Sequence, residues 1–264
     1  MELKAKAKVN WHLAVGQRRS DGYHPILSIF QTCSLFDTID VQIGEGPFDI
    51  DVKGLEDLCE KGSSTLDKAA LVFRQETGFD RSLKVHVTKR IPTQAGLGGG
   101  SSDAATLLLY LNRLLPQPLG TEEMTKIAMK VGCDVPFFIH GCRAAIVSGL
   151  GEIIRPIEAR TDLQGFVIVQ SGKKVSTKTA YEALDRRTDI KAFESPNELE
   201  RIYRLPISQW TFRNDFDLVN SKPEIALDEG ERLLLTGSGS CHVLLTKKEK
   251  LTLKDSLGAI KVSF

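Results

Sequence analysis

The residues with the clearest chemical meaning form the segment 91–105, Ile-Pro-Thr-Gln-Ala-Gly-Leu-Gly-Gly-Gly-Ser-Ser-Asp-Ala-Ala. Four glycines fall within five positions and lead into two hydroxyl side chains and an acid. Glycine permits positive φ and carries no Cβ, so the backbone N–H groups of such a loop can close around an anion. A helix that follows directs the positive end of its dipole at the same anion. The segment therefore predicts a phosphate site.

Two common phosphate motifs do not describe this loop. A Walker A loop ends in Gly-Lys-Ser/Thr, whereas Gly100 is followed directly by Ser101. The dinucleotide fingerprint needs a third glycine at its sixth position, and Ser101 occupies that position. A plain turn between a strand and a helix is the alternative, although one or two glycines would suffice for it.

The elements that must position this loop are a strand before it and a helix after it. Apolar residues occupy every second position over 83–87, which is typical of a half-buried strand. Apolar residues then recur at intervals of three and four over 104–115, which is one face of a helix. We expect this helix to be capped by Ser101, Ser102 or Asp103.

Three further side chains are candidates for catalysis. Asp134 is followed at once by the apolar segment 135–138, whose exclusion of water would strengthen the interactions of a nearby charge. Lys89 stands at the end of the strand that enters the glycine loop, where its ammonium would lie near a phosphate or face solvent. Lys8, taken alone, is most simply a solvated lysine of a basic N-terminus.

Length and composition are those of a globular enzyme with a sizeable core. The chain has 264 residues, of which 41% are hydrophobic, and this favours two domains or one large one. The 35 basic and 34 acidic residues nearly cancel, which argues against a general nucleic-acid surface. We therefore expect a small-molecule partner and no nucleic acid.

The sequence predicts a cytoplasmic protein without a membrane segment. Residues 1–8 are basic and lack the apolar region of a signal peptide, and no apolar run approaches the roughly 20 residues that cross a bilayer. The five cysteines are odd in number and have no C-x-x-C spacing, so we expect free thiols in a reducing compartment.

Strands and helices mix without regular alternation, which indicates the α+β class. Strand patterns occupy 39–43, 48–52, 165–169, 233–235 and 242–245. Helix patterns occupy 66–76, 121–130 with Thr121 as cap, and Ser176 to Leu184. A domain boundary is expected between residues 155 and 156, which would give domains 1–155 and 156–264.

Four segments together resemble the GHMP kinases, the superfamily of galactokinase, homoserine kinase and mevalonate kinase. The glycine segment, Pro-x-x-x-Gly-Leu-Gly-Gly-Gly-Ser-Ser-Asp-Ala-Ala at 92–105, resembles their ATP-binding motif. The others are Ala-Lys-Val-Asn at 7–10 with Gly-Gln-Arg-Arg-Ser-Asp-Gly-Tyr-His at 16–24, Gly-Cys-Asp-Val-Pro-Phe-Phe at 132–138, and Gly-Ser-Gly-Ser at 237–240. The resemblance implies a two-domain GHMP kinase fold, with a ribosomal-S5-like N-terminal domain and a ferredoxin-like C-terminal domain.

The resemblance further implies ATP as the phosphoryl donor, with Mg²⁺ bridging its phosphates and with Ser101 or Ser102 assisting. The ATP site that it implies consists of Lys89, Pro92, Ala95, Gly96, Leu97, Gly98, Gly99, Gly100, Ser101 and Ser102. One departure concerns adenine, because Ser64 stands where the family usually has asparagine.

The resemblance also implies a catalytic pair and an acceptor site. Asp134 would accept the proton of the substrate hydroxyl, and Lys8 would keep that carboxylate ionised. The segment 16–24 is similar to that of the kinases that phosphorylate the 2-hydroxyl of a cytidine diphosphate-linked methylerythritol, in the non-mevalonate isoprenoid pathway. The implied substrate-binding residues are Asn10, Tyr23, His24, Asp134, Gly237 and Ser238, with Phe30 or Tyr181 as a second aromatic beside the cytosine.

Other functions stay open on the sequence. A different GHMP kinase would act on mevalonate, homoserine or a sugar, and would gain no thermal protection from a cytidine nucleotide. A catalytically silent relative would bind nucleotide only, although it would need neither Lys8 nor Asp134. Nucleic-acid binding through an S5-like half would show as salt-dependent binding of RNA.

Overall fold

The computed structural model describes residues 1–170, 177–186, 191–254 and 256–264, with Lys178 described by its backbone alone. The strands are β1 (Glu2–Val15), β2 (Ile26–Ile43), β3 (Ile50–Lys53), β4 (Leu83–Thr88), β5 (Ala144–Gly149), β6 (Ile153–Ile157), β7 (Gln164–Gln170), β8 (Arg232–Leu235), β9 (His242–Leu245) and β10 (Leu257–Ser263). The helices are α1 (Thr65–Thr77), α2 (Gly99–Asn112), α3 (Thr121–Val131), α4 (Val135–Ile139), α5 (Thr177–Leu184) and α6 (Pro196–Arg204). The expected start of a helix at Ser176 lies outside the described residues.

The strand before the glycine loop and the helix after it are confirmed as β4 and α2. The predicted cap of α2 was wrong, because the helix begins at Gly99 with Gly98 as its N-cap, at φ +68°. Ser101, Ser102 and Asp103 therefore lie within the first turns of the helix. A glycine adopts the left-handed conformation without a Cβ penalty, and this allows the helix to start earlier than a side-chain cap would permit.

Two other helix starts illustrate how the caps form. Ser64 is the N-cap of α1, where its hydroxyl oxygen accepts a hydrogen bond from the Asp67 N–H at 3.2 Å. The prediction of Thr121 as the cap of α3 was wrong, since Gly120 holds that position. The Glu123 carboxylate accepts the Gly120 N–H at 3.0 Å and so satisfies a donor that the helix leaves open.

The chain forms two compact units. The first unit comprises Met1–Ala7, Leu35–Ile91 and Gly98–Cys142, and the second comprises Lys8–Ser34, Pro92–Leu97 and Arg143–Phe264. The long strands β1 and β2, which pair with each other, have residues in both units. The boundary predicted between residues 155 and 156 was drawn along the sequence, and it stays a prediction.

In the first unit, β4 lies between β3 and the C-terminal half of β2. β2 and β4 are antiparallel, with Thr38 opposite Thr88, and β3 and β4 are parallel, with Ile50 opposite Leu83. The helices α1, α2 and α3 share one core with these strands. Its largest buried members include Leu66, Phe73, Leu83, Leu107, Leu108, Leu111 and Ile127. This core holds the N-terminus of α2 close to the end of β4.

In the second unit, the N-terminal half of β2 pairs antiparallel with β5, and β5 pairs antiparallel with β6. A separate antiparallel sheet has the strand order β10-β7-β9-β8. The predicted strand pair near the C-terminus is confirmed, with Leu235 opposite His242 across the glycine turn 237–240. Within the described ranges, no helix has both the length and the apolar character to cross a membrane.

Candidate active site

The first turn of α2 is packed closely against its neighbours in the first unit. A Cβ on Gly99 would stand 3.0 Å from a methyl carbon of Ile91 and 3.4 Å from the Lys89 Nζ. A Cβ on Gly100 would stand 3.2 Å from the hydroxyl of Thr65, which donates a hydrogen bond to the Gly100 carbonyl at 3.0 Å. The first N–H groups of a helix have no partner within it, so this end of α2 is suited to bind an anion.

In the second unit, the two glycine turns found separately in the sequence touch each other. Gly96 has φ +77°, and a Cβ there would stand 2.0 Å from the Thr236 carbonyl oxygen. Gly237 has φ +57°, and a Cβ there would stand 2.6 Å from the Cα of Gly96. The Thr236 hydroxyl also donates to the Gly96 carbonyl at 3.2 Å. Both positions require glycine, because two backbones meet there with no space for a side chain.

Lys8 and Asn10 form a buried polar group in the same unit. Each side chain is 2% exposed, so the interpretation of Lys8 as a solvated lysine was wrong. The Lys8 ammonium donates to the Asn10 Oδ1 at 2.6 Å and lies 4.3 Å from the centroid of the Phe30 ring. The same Oδ1 accepts the Gly237 N–H at 3.0 Å. Side chains two apart on β1 share a face, which is why the lysine and the amide meet.

This group is connected to both glycine turns. The Asn10 N–H donates to the Thr236 hydroxyl at 3.0 Å, and the Lys8 N–H donates to the Leu97 carbonyl at 2.9 Å. Five of the predicted site residues of the second unit are therefore brought together, namely Lys8, Asn10, Gly96, Leu97 and Gly237. Pro92 and Ala95 lie on the same loop, where Ala95 is buried.

Lys89 is held by two acids of the first unit rather than by solvent. Its ammonium donates to the Asp37 Oδ2 and, at 2.7 Å, to the Asp103 Oδ2. Asp37 also accepts the backbone N–H groups of Arg90 at 2.5 Å and Ile91 at 2.8 Å through its Oδ1. Asp37 therefore fixes the backbone where β4 leads into the glycine loop.

The Asp37, Lys89 and Asp103 cluster holds two acids around one base. Burial raises the pKa of Asp103 to about 7, with the charge of Lys89 acting in the opposite direction and that of Asp37 adding to the increase. Burial alone would lower the pKa of Lys89, but its bonds to the two carboxylates outweigh burial and raise that pKa above its usual value. Lys89 therefore stays charged, and Asp103 is the group of the cluster that titrates near neutral pH.

We expect this cluster to make stability depend on pH. The pKa of Asp103 is higher in the folded protein than its ordinary 3.8, so its protonated form favours folding and this contribution is lost as the pH rises to about 7. At about 1.4 kcal/mol per pKa unit, the loss between roughly pH 5 and pH 8 is of the order of 3 kcal/mol. In the Asp103→Asn variant this side chain is neutral at every pH. Its free energy of unfolding, measured in urea, is therefore expected to fall less over this pH range than that of the parent. Parallel pH profiles of variant and parent would contradict this account.

Asp134 lies between α3 and α4, at the N-cap position of α4. It is partly buried, and its side chain makes no capping hydrogen bond to that helix. The residues behind it, Val135, Pro136 and Phe137, are buried. A buried apolar segment thus follows Asp134 directly along the chain.

The acceptor segment 16–24 belongs to the second unit. The Tyr23 side chain is open to solvent, with 57% exposure, so its ring is accessible to a ligand. The His24 ring is buried, 5.2 Å from the Tyr181 ring, and its Nδ1 lies 2.9 Å from the Gly16 carbonyl oxygen. Phe30, the other candidate for the second aromatic beside the cytosine, is 1% exposed and lies beneath Lys8. Tyr181 is therefore better placed than Phe30 for that role.

Ser238 and its turn are held by polar side chains that the sequence did not identify as partners. The Ser238 hydroxyl lies 3.2 Å from that of Thr177, and the Ser238 carbonyl accepts from Asn220 at 3.0 Å. Asn214 donates to the Leu235 and Gly237 carbonyls at 3.1 and 2.9 Å. Only the folded turn shows what Asn214 contacts.

Asp37 was also missed, although the sequence contains a signal for it. It lies on β2 with Ile39 and Val41 at the following alternate positions, and all three are buried. An acid on the buried face of a strand is rare unless it is paired. That pattern could have singled out Asp37, but it could not have named Lys89 and two backbone N–H groups as its partners.

Comparison with known proteins identifies relatives along most of the chain. The family model for the GHMP kinases N terminal domain matches residues 64–142. A Thermotoga petrophila protein named 4-diphosphocytidyl-2-C-methyl-D-erythritol kinase is 39% identical over 204 residues, which are 76% of this chain and 72% of that protein. A Desulfotalea psychrophila protein of the same name is 32% identical over 256 residues, covering 93% of this chain and 82% of the relative.

Two solved structures of kinases align over the whole of this chain. A crystal structure of 4-(cytidine 5'-diphospho)-2C-methyl-D-erythritol kinase aligns with a TM-score of 0.71 at 25% identity, over 100% of both chains. The mevalonate kinase of Methanococcus jannaschii aligns with a TM-score of 0.64 at 14% identity, over 100% of this chain and 98% of the other. The second alignment concerns the fold alone.

Proposed function

Because the chain belongs to the 4-diphosphocytidyl-2-C-methyl-D-erythritol kinases, we propose that it phosphorylates the 2-hydroxyl of 4-diphosphocytidyl-2-C-methyl-D-erythritol, a cytidine-linked methylerythritol. As a member of the GHMP superfamily, the chain is an ATP-dependent kinase with the two-domain fold of that superfamily. The observation that carries the proposal is the buried contact of Lys8 with Asn10, whose amide also holds the Gly237 backbone. A lysine is buried only where its charge is offset or used.

The phosphates of ATP are bound, in this proposal, by the glycine loop and the N-terminus of α2. Gly98 and Gly99 let the backbone N–H groups approach an anion, and the helix dipole stabilises negative charge there. Lys89 adds positive charge beside Gly99, although Asp37 and Asp103 offset it. Lys89 therefore has two proposed roles: its ion pairs hold the start of the glycine loop, and its positive charge attracts phosphate.

Mg²⁺ fits the chemistry of this loop. The hydroxyl of Ser101, on the partly exposed first turn of α2, is a hard oxygen donor of the kind that Mg²⁺ accepts, and Ser102 is a buried second hydroxyl beside it. When bound, the ion neutralises charge that develops on the phosphate oxygens. Most of its ligands would be ATP oxygens and water.

Asp134 is proposed as the base that orients the acceptor hydroxyl and takes its proton. The support is its position directly before a buried apolar segment, because apolar surface beside a carboxylate would limit the access of water and strengthen its interactions with charge. Lys8 is proposed as the cation of the same reaction, stabilising negative charge as the phosphoryl group is transferred. Asn10 keeps the Lys8 ammonium in place by accepting its hydrogen bond at 2.6 Å.

Cytosine is proposed to bind at Tyr23 and His24. The exposed Tyr23 ring offers a face on which the base can stack, and stacking of this kind contributes roughly 1–3 kcal/mol. Tyr181 lies beside His24 and is the proposed second aromatic. Gly237 and Ser238 are proposed to receive the rest of the substrate.

We further propose that the protein works in the cytoplasm on a small-molecule substrate. Among the described residues, Cys59, Cys142 and Cys241 are free thiols. Free thiols are typical of reducing compartments.

The proposal is tested by ADP release from Mg-ATP with the cytidine-linked methylerythritol as acceptor, and with mevalonate and homoserine as controls. We expect turnover with the first acceptor alone. Cytidine diphosphate is expected to raise the melting temperature, whereas uridine diphosphate should raise it less. Turnover with another acceptor would contradict the proposed choice of substrate. Nucleotide binding without any turnover would contradict the proposed phosphorylation.

A further inference from the structure

One carboxylate contacts two side chains of the acceptor segment 16–24. The Asp185 Oδ1 lies 3.1 Å from the His24 Nε2, and the Asp185 Oδ2 lies 3.3 Å from the Arg18 Nη1. Asp185 follows α5 directly, and its N–H donates to the Tyr181 carbonyl at 2.9 Å. The Asp185 backbone is therefore anchored to the last turn of that helix, outside the segment that its carboxylate contacts.

The His24 ring faces an oxygen acceptor at each nitrogen. Its Nδ1 lies 2.9 Å from the Gly16 carbonyl oxygen, and its Nε2 lies 3.1 Å from the Asp185 carboxylate. The ring is therefore held between two partners, one at each nitrogen. With its side chain 7% exposed, the ring has little water available as a substitute partner.

Arg18 connects Asp185 to the turn 18–23 of the same segment. Its Nε donates to the Gly22 carbonyl at 3.1 Å while its Nη1 reaches Asp185. The Arg19 N–H donates to the Tyr23 carbonyl at 2.8 Å, which closes the turn. Asp185 is thus linked through Arg18 to the turn that presents Tyr23, and through its direct contact to His24.

We propose that Asp185 is a positioning residue for the acceptor, which holds the His24 ring and the turn 18–23 in the conformation that receives the cytosine. This inference rests on the proposed function of the segment. A loop ordered before the ligand arrives loses less conformational freedom on binding, so pre-organisation appears as affinity for the acceptor. The carboxylate touches neither the glycine loop nor Asn10 among the described contacts, so the effect should be confined to the acceptor.

The kinetic test compares Asp185→Asn with the parent. We expect the KM for the cytidine-linked acceptor to rise about tenfold, with the KM for ATP and kcat changed by less than about twofold. Asp185→Glu keeps the charge and is expected to recover part of the affinity. Asp228→Asn is the matched control, because Asp228 is a carboxylate of the same unit that pairs instead with Lys248 at 2.8 Å. An unchanged acceptor KM in Asp185→Asn would overturn the proposal.

A second measurement does not depend on turnover. Histidine side-chain ¹H–¹⁵N spectra, with His24 identified by its loss in His24→Gln, report how the ring nitrogens are held. We expect the His24 signals to shift and broaden in Asp185→Asn and to keep their parental positions in Asp228→Asn. Unchanged His24 signals in Asp185→Asn would overturn the proposal. Failure of the parent to use the acceptor would instead contradict the proposed function, and the spectra would still decide whether Asp185 holds His24.

Discussion

Replacement of Asp134 by asparagine is expected to lower kcat by about 10²–10⁴-fold, the usual contribution of a positioned general base. Asparagine keeps the shape of the side chain but has no carboxylate to accept a proton. The position makes no side-chain cap to α4, so the substitution removes no helix cap. The KM for ATP is expected to stay within about twofold, since the phosphate site that we propose lies elsewhere on the chain. Steady-state ADP release measures both constants.

The matched control for this variant is Glu122→Gln. Glu122 is an exposed acid of α3 in the same unit, and its carboxylate pairs with Lys126 at 3.0 Å. Solvent screens such a surface pair, so its loss should have little effect on stability and should leave kcat unaltered. Parental kcat in Asp134→Asn would refute the role of base, even if the protein were shown to be a kinase.

Replacement of Lys8 by methionine is expected to lower kcat by about 10²–10³-fold, the usual effect of removing one group that stabilises charge in a transition state. Methionine fills similar space over the Phe30 ring, so the apolar contact is largely kept while the ammonium is lost. The Asn10 Oδ1 still accepts the Gly237 N–H and is therefore not left without a partner. Single-turnover phosphoryl transfer at saturating substrates separates this step from product release.

Lys6→Met is the control for Lys8→Met, because Lys6 lies on the same strand but is exposed. It should retain parental kcat and stability. Since Lys8 is buried, unfolding in urea must accompany the kinetics, and cytidine diphosphate protection shows whether the acceptor site of the variant is intact. A folded Lys8→Met protein that binds both substrates and turns over at the parental rate would contradict the catalytic role.

The sequence predicted those parts of the site that depend on neighbours along the chain. The alternating residues of β4 and the apolar face of α2 report local periodicity, and both elements are confirmed. The four glycines between them predicted a phosphate loop, and the packing of Gly99 and Gly100 explains why side chains are excluded there. Caps were less predictable, since Gly98 and Gly120 start their helices in place of the polar residues that follow them.

Membership of the kinase family and the local order of strand, loop and helix were thus determined by the sequence alone. Only the tertiary structure decided that the Thr236 hydroxyl meets the Gly96 carbonyl, 140 positions away, and that Asp37 binds the Ile91 N–H, 54 positions away. It also decided that Lys8 is buried and that Asp185 contacts His24. The physical reason is that periodicity and turn chemistry act over a few residues, whereas the partner of a buried charge depends on how the whole unit packs.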